Sequence, residues 1–309
     1  MDSAAIVALL TAAVVVGTPL LYAAMGELLT ERSGILNLGV EGMMLVGAVI
    51  GFMITVNTGN YWYGILAAMF GGGMMAAIHA FISVTLRGNQ VVSGLALTIF
   101  GTGVSGFMGK PYQGVNISMP FDIINIPVLS KIPVLGPVFF SHNILVYASI
   151  LIALVLWYIL YRTRWGLTIR SVGENPAAAD AVGISVSRVR YLCTITGGIL
   201  AGLAGAYLSL AYAPSWQENM TAGRGWIAVA LVIFALWNPL RAILGSYLFG
   251  GVEALTFRLQ ATGVTISPFF LSMFPYILTV LVLVIVTIRL RQEAGAPTAL
   301  ATPYDREER

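Results

Sequence analysis

What most constrains this chain is the recurrence of apolar runs long enough to cross a bilayer. They lie near 4 to 25, 38 to 56, 61 to 86, 91 to 109, 142 to 161, 191 to 212, 226 to 237, 242 to 258 and 271 to 288, separated by short polar breaks. At about 1.5 Å per residue, roughly 20 residues span the hydrocarbon core. Lipid offers the backbone no hydrogen-bond partner, so such runs must be helices. The expected fold class is all-α, a polytopic transmembrane bundle of nine spans, with eight to ten permitted by the breaks. The run at 226 to 237 is short and ends at Trp237-Asn238-Pro239, consistent with a half-helix or re-entrant segment.

Hydrophobic residues make up 58% of the 309 positions and charged ones 9%, against about a quarter charged in soluble domains. Residues 1–291 are therefore read as one transmembrane domain. The polar tail 292–309, with Pro297 and Pro303, is expected to be disordered. No basic residue precedes the first run, which argues against a cleaved signal peptide. The net charge of +3 comes from sixteen scattered Lys and Arg, so no nucleic-acid-binding patch is expected. Cys193 stands alone in an apolar run, which rules out a disulfide or a thiolate metal cluster within the chain.

One polar island, 162 to 190, separates two long apolar runs. In it Asn175 can cap a helix, Pro176 can take the first helical position, and Gly183 can supply a left-handed end. A helix this short is marginal alone. Its Ala177, Ala178, Ala179 and Ala181 form a small, smooth surface suited to another protein's groove, which reads as a docking element. The alternative is an ordinary Ala-rich loop helix.

The segment Gly173-Glu-Asn-Pro-Ala-Ala-Ala-Asp-Ala-Val-Gly-Ile184 resembles the cytoplasmic coupling loop of bacterial ABC importer permeases of the branched-chain amino acid, ribose and nucleoside group. The stretch from Glu27 through Asn37 and Glu41 to Met44 is most similar to the nucleoside branch. With Trp237-Asn238-Pro239 and the span reaching Gly250 and Gly251, the chain resembles the shorter permease of nucleoside (simple sugar) importers. The resemblance implies import of nucleosides or related sugar-containing solutes by alternating access. It implies a tandem ATP-binding subunit holding ATP and Mg, a paralogous second permease in a heterodimer, and an extracytoplasmic solute-binding protein. No cofactor would be bound by this chain. The coupling residues would be Gly173, Glu174, Asn175, Pro176, Ala179, Gly183 and Ile184, in a multi-pass protein of the bacterial cytoplasmic membrane.

If the island at 162 to 190 is cytoplasmic, alternation places twelve basic residues inside and leaves Lys110, Lys131, Arg224 and Arg258 outside, as the positive-inside rule requires. The amino terminus would then be outside and the carboxyl terminus cytoplasmic. The segment 110 to 141 would be an outer cap, its five prolines preventing a long helix.

The candidate pathway residues each carry two readings. Asn37 and Glu41, four apart, share a helix face and either line a solute path or cap the second span. Glu253 lies within an apolar run, either lining the path or pairing with Arg258 or a backbone group as a structural anchor. Asn89 and Gln90 either face the inner mouth or cap the fourth span. Trp237, with Trp226, is either an interfacial anchor or a stacking surface, and Asn238 follows it at the break.

No catalytic or metal site is expected, so the chain is read as a transport subunit and not an enzyme. Gly106-Phe-Met-Gly-Lys110 fails the phosphate-loop spacing, no zinc-protease or nucleophile-elbow motif occurs, and His79 and His142 lie far apart. The competing reading is an ion-coupled secondary transporter. It would need paired ionisable groups at mid-membrane, for which the sequence offers only Glu41 and Glu253.

Overall fold

The structure is a computed structural model and describes residues 3–117, 121–261, 270, 273–289 and 295–306. Helices α1 (Ser3–Arg32), α2 (Val40–Thr58), α3 (Tyr61–Ala80) and α4 (Gln90–Gly109) come first, with a π turn, Phe81–Thr85, extending α3. A cap follows, comprising β1 (Ile123–Asn125), the five-residue α5 (Leu135–Phe139) and β2 (Ser141–Asn143), with the strands antiparallel. Then come α6 (Ile144–Arg162), α7 (Arg164–Glu174), α8 (Pro176–Ala181), α9 (Val186–Tyr207, extended by a π turn Leu208–Tyr212), α10 (Arg224–Phe234), α11 (Pro239–Ala261) and α12 (Phe274–Arg289).

The helical bundle matches expectation, but the count of nine spans does not. Among the described residues six helices are long and apolar enough to cross a membrane: α1, α2, α3, α4, α6 and α9. The 11 residues of α10 reach only about 17 Å, roughly half the hydrocarbon thickness. Helix α11 has the length, at 23 residues, but carries Arg241, Glu253 and Arg258.

Helix α9 is central, packed against α1, α2 and α3. The contacts are backbone to backbone at glycines: Gly197 lies against Gly26 of α1, Gly198 against Gly72 of α3, and Gly202 against Gly47 of α2. Close approach through small residues suits helices in lipid, where apolar side chains gain little by leaving their solvent. Pro19 sits inside α1 and cannot donate to the Val15 carbonyl. That carbonyl instead accepts the Tyr207 hydroxyl of α9 at 3.2 Å.

In the cap, His142 is buried and its Nε2 lies 2.8 Å from the Val138 carbonyl. Burial pushes its pKa below the usual imidazole value. At the opposite end, where α7 and α8 lie, the sequence pointed to a disordered tail over 292–309. Residues 292–294 and 307–309 fall outside the described residues. The intervening 295–306 lie against the bundle, with Pro297 and Ala299 buried and the Ala299 amide donating to the Gly173 carbonyl at 2.9 Å. A backbone bonded to other elements does not need a hydrophobic composition to be held.

Candidate functional site

Helix α2 starts inside the bundle. Its first turn meets the middle of α4, since a Cβ on Gly42 would strike the Leu97 carbonyl and Thr98. Residues 33–39 accordingly fold back from the end of α1 into the interior. Hydrogen bonds hold this return: the Leu36 amide donates to Gln90 Oε1 at 2.8 Å, the Asn37 amide to Glu27 Oε1 at 3.0 Å, and the Thr98 hydroxyl to the Leu38 carbonyl at 2.9 Å. His79 of α3 joins in, its Nε2 3.1 Å from the Leu36 carbonyl and its Nδ1 3.0 Å from Ser93 Oγ.

The half-helix α10 meets this point with its amino end. Its cap residue, Gly223, is left-handed (φ 82°) and has no side chain to satisfy the first-turn amides. Glu41 does so from another helix. Its carboxylate accepts from Thr221 Oγ1 at 2.6 Å, Gly223 N at 2.8 Å and Gly225 N at 2.6 Å. A carboxylate here satisfies otherwise orphaned amides and complements the positive end of the helix dipole. The approach requires glycine at 225, where a Cβ would lie 2.6 Å from the Glu41 backbone.

The carboxyl end of α10 is held the same way by α1. Leu236 and Trp237 take positive φ, 52° and 53°, ending the helix. The Arg32 guanidinium donates to the Trp237 carbonyl at 3.2 Å and the Leu236 carbonyl at 3.5 Å. The Trp237 indole donates to Glu31 Oε2 at 2.5 Å. An acid thus serves the amino end of α10 and a cation its carboxyl end, which removes much of the cost of ending a helix inside the bundle.

Beside Glu41, Arg224 forms a salt bridge with Glu253 of α11, both side chains being largely buried. Arg224 also donates to the Met220 carbonyl at 3.1 Å and lies 5.7 Å from the Tyr212 ring centroid. Tyr212 in turn lines an open, largely apolar cleft of about 950 Å³ between the first half of α1, α11 residues Ala254 and Phe257, and the cap residues Val134 and Pro137. The polar cluster therefore adjoins a cleft on the cap side of the bundle.

Several sequence expectations need correction. Asn37 and Glu41 do not share a helix face, because α2 begins only at Val40; Asn37 Oδ1 accepts from Gly39 N at 3.0 Å in a turn before the helix. Glu41 caps α10 and not its own span. Glu253 pairs with Arg224 and not with Arg258, which donates to the Ala5 carbonyl at 2.5 Å. Arg224, counted among the outer charges, is buried within the bundle. Trp237 is a buried partner of Glu31 and not an interfacial anchor. Asn238 accepts from Leu240 N at 2.9 Å as α11 begins.

Asn89 behaves as a cap, accepting from Val92 N at 3.1 Å, whereas Gln90 is buried against Leu36 and does not face an aqueous mouth. The sequence reading missed Glu31, Arg32, Thr221 and Arg224. Their partners lie far along the chain, and no local spacing marks them. Cys193 is buried, and no cluster of three potential ligands for a metal occurs among the described residues.

Helix α8 has the local geometry read from its residues. Asn175 Oδ1 accepts from Ala178 N at 3.0 Å, Pro176 opens the helix, and Gly183 is left-handed at φ 88°. Glu174, Ala177, Ala178, Ala181, Val182 and Gly183 are exposed, and Ile184 is half-buried. Ala179 is 3% exposed and turned into its own chain, so it is not on the open face of α8.

A multi-pass helical bundle with a broken helix bonded to its neighbours at mid-depth, and a short capped helix projecting at one end, is the architecture of a membrane transport component. The chain belongs to the family described as branched-chain amino acid transport system/permease component, whose model matches residues 9–287. It is 43% identical to the putative glucose ABC transporter permease protein TsgC13 of Haloferax volcanii, over 97% of this chain and 98% of that protein. It is 37% identical to the nucleoside ABC transporter permease protein NupC of Lactococcus lactis, over 86% of this chain and 88% of that one. It is 36% identical to the guanosine ABC transporter permease protein NupQ of Bacillus subtilis, over 98% of both. No solved structure matches the chain. The protein is thus an ABC permease subunit, a transport component and not an enzyme, and the ion-coupled reading gives way.

Proposed function

We propose that this subunit imports a neutral, hydroxyl-rich solute of the nucleoside or sugar class through the cleft on its cap side, driven by a separate ATPase that docks at α8. The observation that carries this reading is the suspension of α10: its two ends are held by Glu41 of α2 and Arg32 of α1, so a shift at the α8 end of α1 is felt at mid-depth. The three charges of the cluster are committed to one another and to a helix end, which favours an uncharged solute over an ion. Tyr212 and Phe257 offer ring faces to a sugar or base. The names of the relatives, which include glucose, nucleoside and guanosine permeases, agree with that class.

In this reading Gly173, Glu174, Asn175, Pro176, Gly183 and Ile184 shape the docking loop, with Ala177, Ala178, Ala181 and Val182 as its contact face. Ala179 supports the helix from behind. The α8 end faces the cytoplasm, where ATP and Mg bind the partner, and the amino terminus lies outside. The gathering of Arg32, Arg87, Arg164 and Arg190 at the α8 end supports that orientation. A paralogous second permease and an external solute-binding protein complete the assembly.

The test is reconstitution in proteoliposomes with the ATPase and the solute-binding protein, scoring ATP hydrolysis and uptake across nucleosides, sugars and amino acids. Stimulation by nucleosides or sugars is expected. Stimulation by amino acids alone would refute the solute class, and uptake without the ATPase would refute the mechanism.

A further inference from the structure

The segment 295–306 is bonded to six separate parts of the bundle, one of them Arg32 of α1, which donates to the Gly295 carbonyl at 3.4 Å. The Ala299 amide donates to the Gly173 carbonyl at 2.9 Å, just before α8, and the Ala301 amide to the Gly34 carbonyl at 3.2 Å, in the return between α1 and α2. Thr298 donates its hydroxyl to Glu174 Oε2 at 2.8 Å. The Tyr304 hydroxyl donates to Asp180 Oδ2 at 3.1 Å, and Arg306 Nε reaches the same oxygen at 2.9 Å. Asp305 pairs with Arg87 after α3. Buried Arg190 of α9 donates Nη1 to the Thr302 carbonyl at 3.2 Å and Nε to the Ser33 carbonyl at 3.3 Å, so one guanidinium spans the segment 295–306 and the return. At Gly34 (φ 91°), a Cβ would lie 3.0 Å from Arg190 Nη2 and 3.3 Å from the Ala299 carbonyl oxygen, which leaves little slack at the crossing.

From this geometry we infer that residues 295–306 are a strut that transmits displacement of α8 to the return at 33–39, and through it to Glu41 and the amino end of α10. The inference rests on the proposed ATPase docking at α8. A strut is favoured over a plug because the segment grips the end of α7 at Gly173 and Glu174 and, on α8 itself, Asp180. It leaves Ala177, Ala178, Ala181 and Val182 open. It is also favoured over a simple anchor, because the amides of Ala299 and Ala301 bond the residues before α8 and the return, and the Arg190 guanidinium joins Thr302 to the same return, which holds Asn37 and leads into α2 just before Glu41. Thr298, Tyr304 and Arg306 are then positioning residues.

Two forms of the full complex test this. One ends the chain after Gly295, and the other carries Thr298→Val with Tyr304→Phe, which removes two hydroxyls and leaves the fold intact. Each is purified with its ATPase and binding protein, and basal hydrolysis, solute-stimulated hydrolysis and uptake are measured. The strut predicts normal recovery of the ATPase and normal basal hydrolysis, with stimulation and uptake reduced at least fivefold by the truncation and about twofold by the double substitution. Wild-type uptake from the truncated complex would overturn the inference. Loss of the ATPase from the truncated complex would also overturn it, since the segment would then belong to docking and not to transmission. If the truncated chain does not accumulate, unchanged stimulation in the double variant is the overturning result. Failure of the underlying reading looks different: the unmodified complex would itself show no solute-stimulated hydrolysis.

Discussion

The loop around α8 and the cluster around Glu41 are both polar regions in an apolar chain, but they satisfy their polar groups over different ranges. At the start of α8 the side-chain cap comes from within three residues, Asn175 to Ala178, so for that helix end the sequence and the structure say the same thing. At mid-depth the acid on α2 serves amides 182 and 184 positions away, and the guanidinium of Arg224 meets a carboxylate 29 positions on. Local bonding makes an element that can be lost with modest cost. Long-range bonding inside a bundle makes one whose parts fail together, because lipid supplies no replacement partner.

The largest effect is expected at Glu41. Glu41→Ala leaves the Thr221 hydroxyl and the amides of Gly223 and Gly225 at the start of α10 without an acceptor, at about 1–3 kcal/mol for each group, so a loss of roughly 3–9 kcal/mol is expected. Thermal unfolding in detergent measures it, with uptake at background. A variant of near wild-type stability would mean that water reaches α10 freely, and that the two regions do not differ as argued.

The same contrast marks how far the sequence could be read. Apolar run length gave the helical bundle, and Asn-Pro followed seven residues later by Gly gave α8 nearly to its ends. The broken helix was signalled by its length and by Trp237-Asn238-Pro239, but its partners were not. Glu41 beside Val40 looks like an acid in its own first turn, and Glu253 looks nearer to Arg258 than to Arg224. Nothing periodic connects α2 to α10 along the chain. The nine-span count is not reached for a related reason: run length counts apolar residues, whereas among the described residues α10 is apolar yet only 11 residues long and α11 is long enough yet carries Arg241, Glu253 and Arg258. The segment 295–306 was misread because composition predicts whether a segment can build a core of its own, not whether its backbone can bond to someone else's.

A smaller and more diagnostic effect is expected at the Arg224–Glu253 pair. Removing one partner strands the other, and breaking a buried pair costs about 3–5 kcal/mol, whereas replacing both with apolar residues is often near neutral. Arg224→Met alone should therefore destabilise strongly, while Arg224→Met with Glu253→Leu should recover most of the stability. Uptake should remain low in both, because the double variant restores packing without restoring the polar site beside the cleft. A double-mutant cycle of unfolding midpoints and uptake rates checks this. Recovery of uptake along with stability would make the pair an anchor only.

The smallest effect is expected at Asn175, the local counterpart of Glu41. Asn175→Ala removes one side-chain cap, which typically costs about 1 kcal/mol, and Asn175→Gly only a few tenths. The stranded Ala178 amide lies at an exposed helix start, where water can take the place of Oδ1, so global stability should scarcely change. The helix itself is short enough that its population is sensitive to this loss. A cost of 1 kcal/mol corresponds to about a fivefold change in an equilibrium constant, from the tenfold change that each 1.4 kcal/mol brings. Solute-stimulated hydrolysis should therefore fall by a few fold in Asn175→Ala and by less in Asn175→Gly, with the unfolding midpoint unmoved in both. Ranking the three sites on one scale is what gives the comparison force. If Asn175→Ala shifted the midpoint as far as Glu41→Ala, the distinction between locally capped and distantly capped helix ends would have no energetic content in this protein.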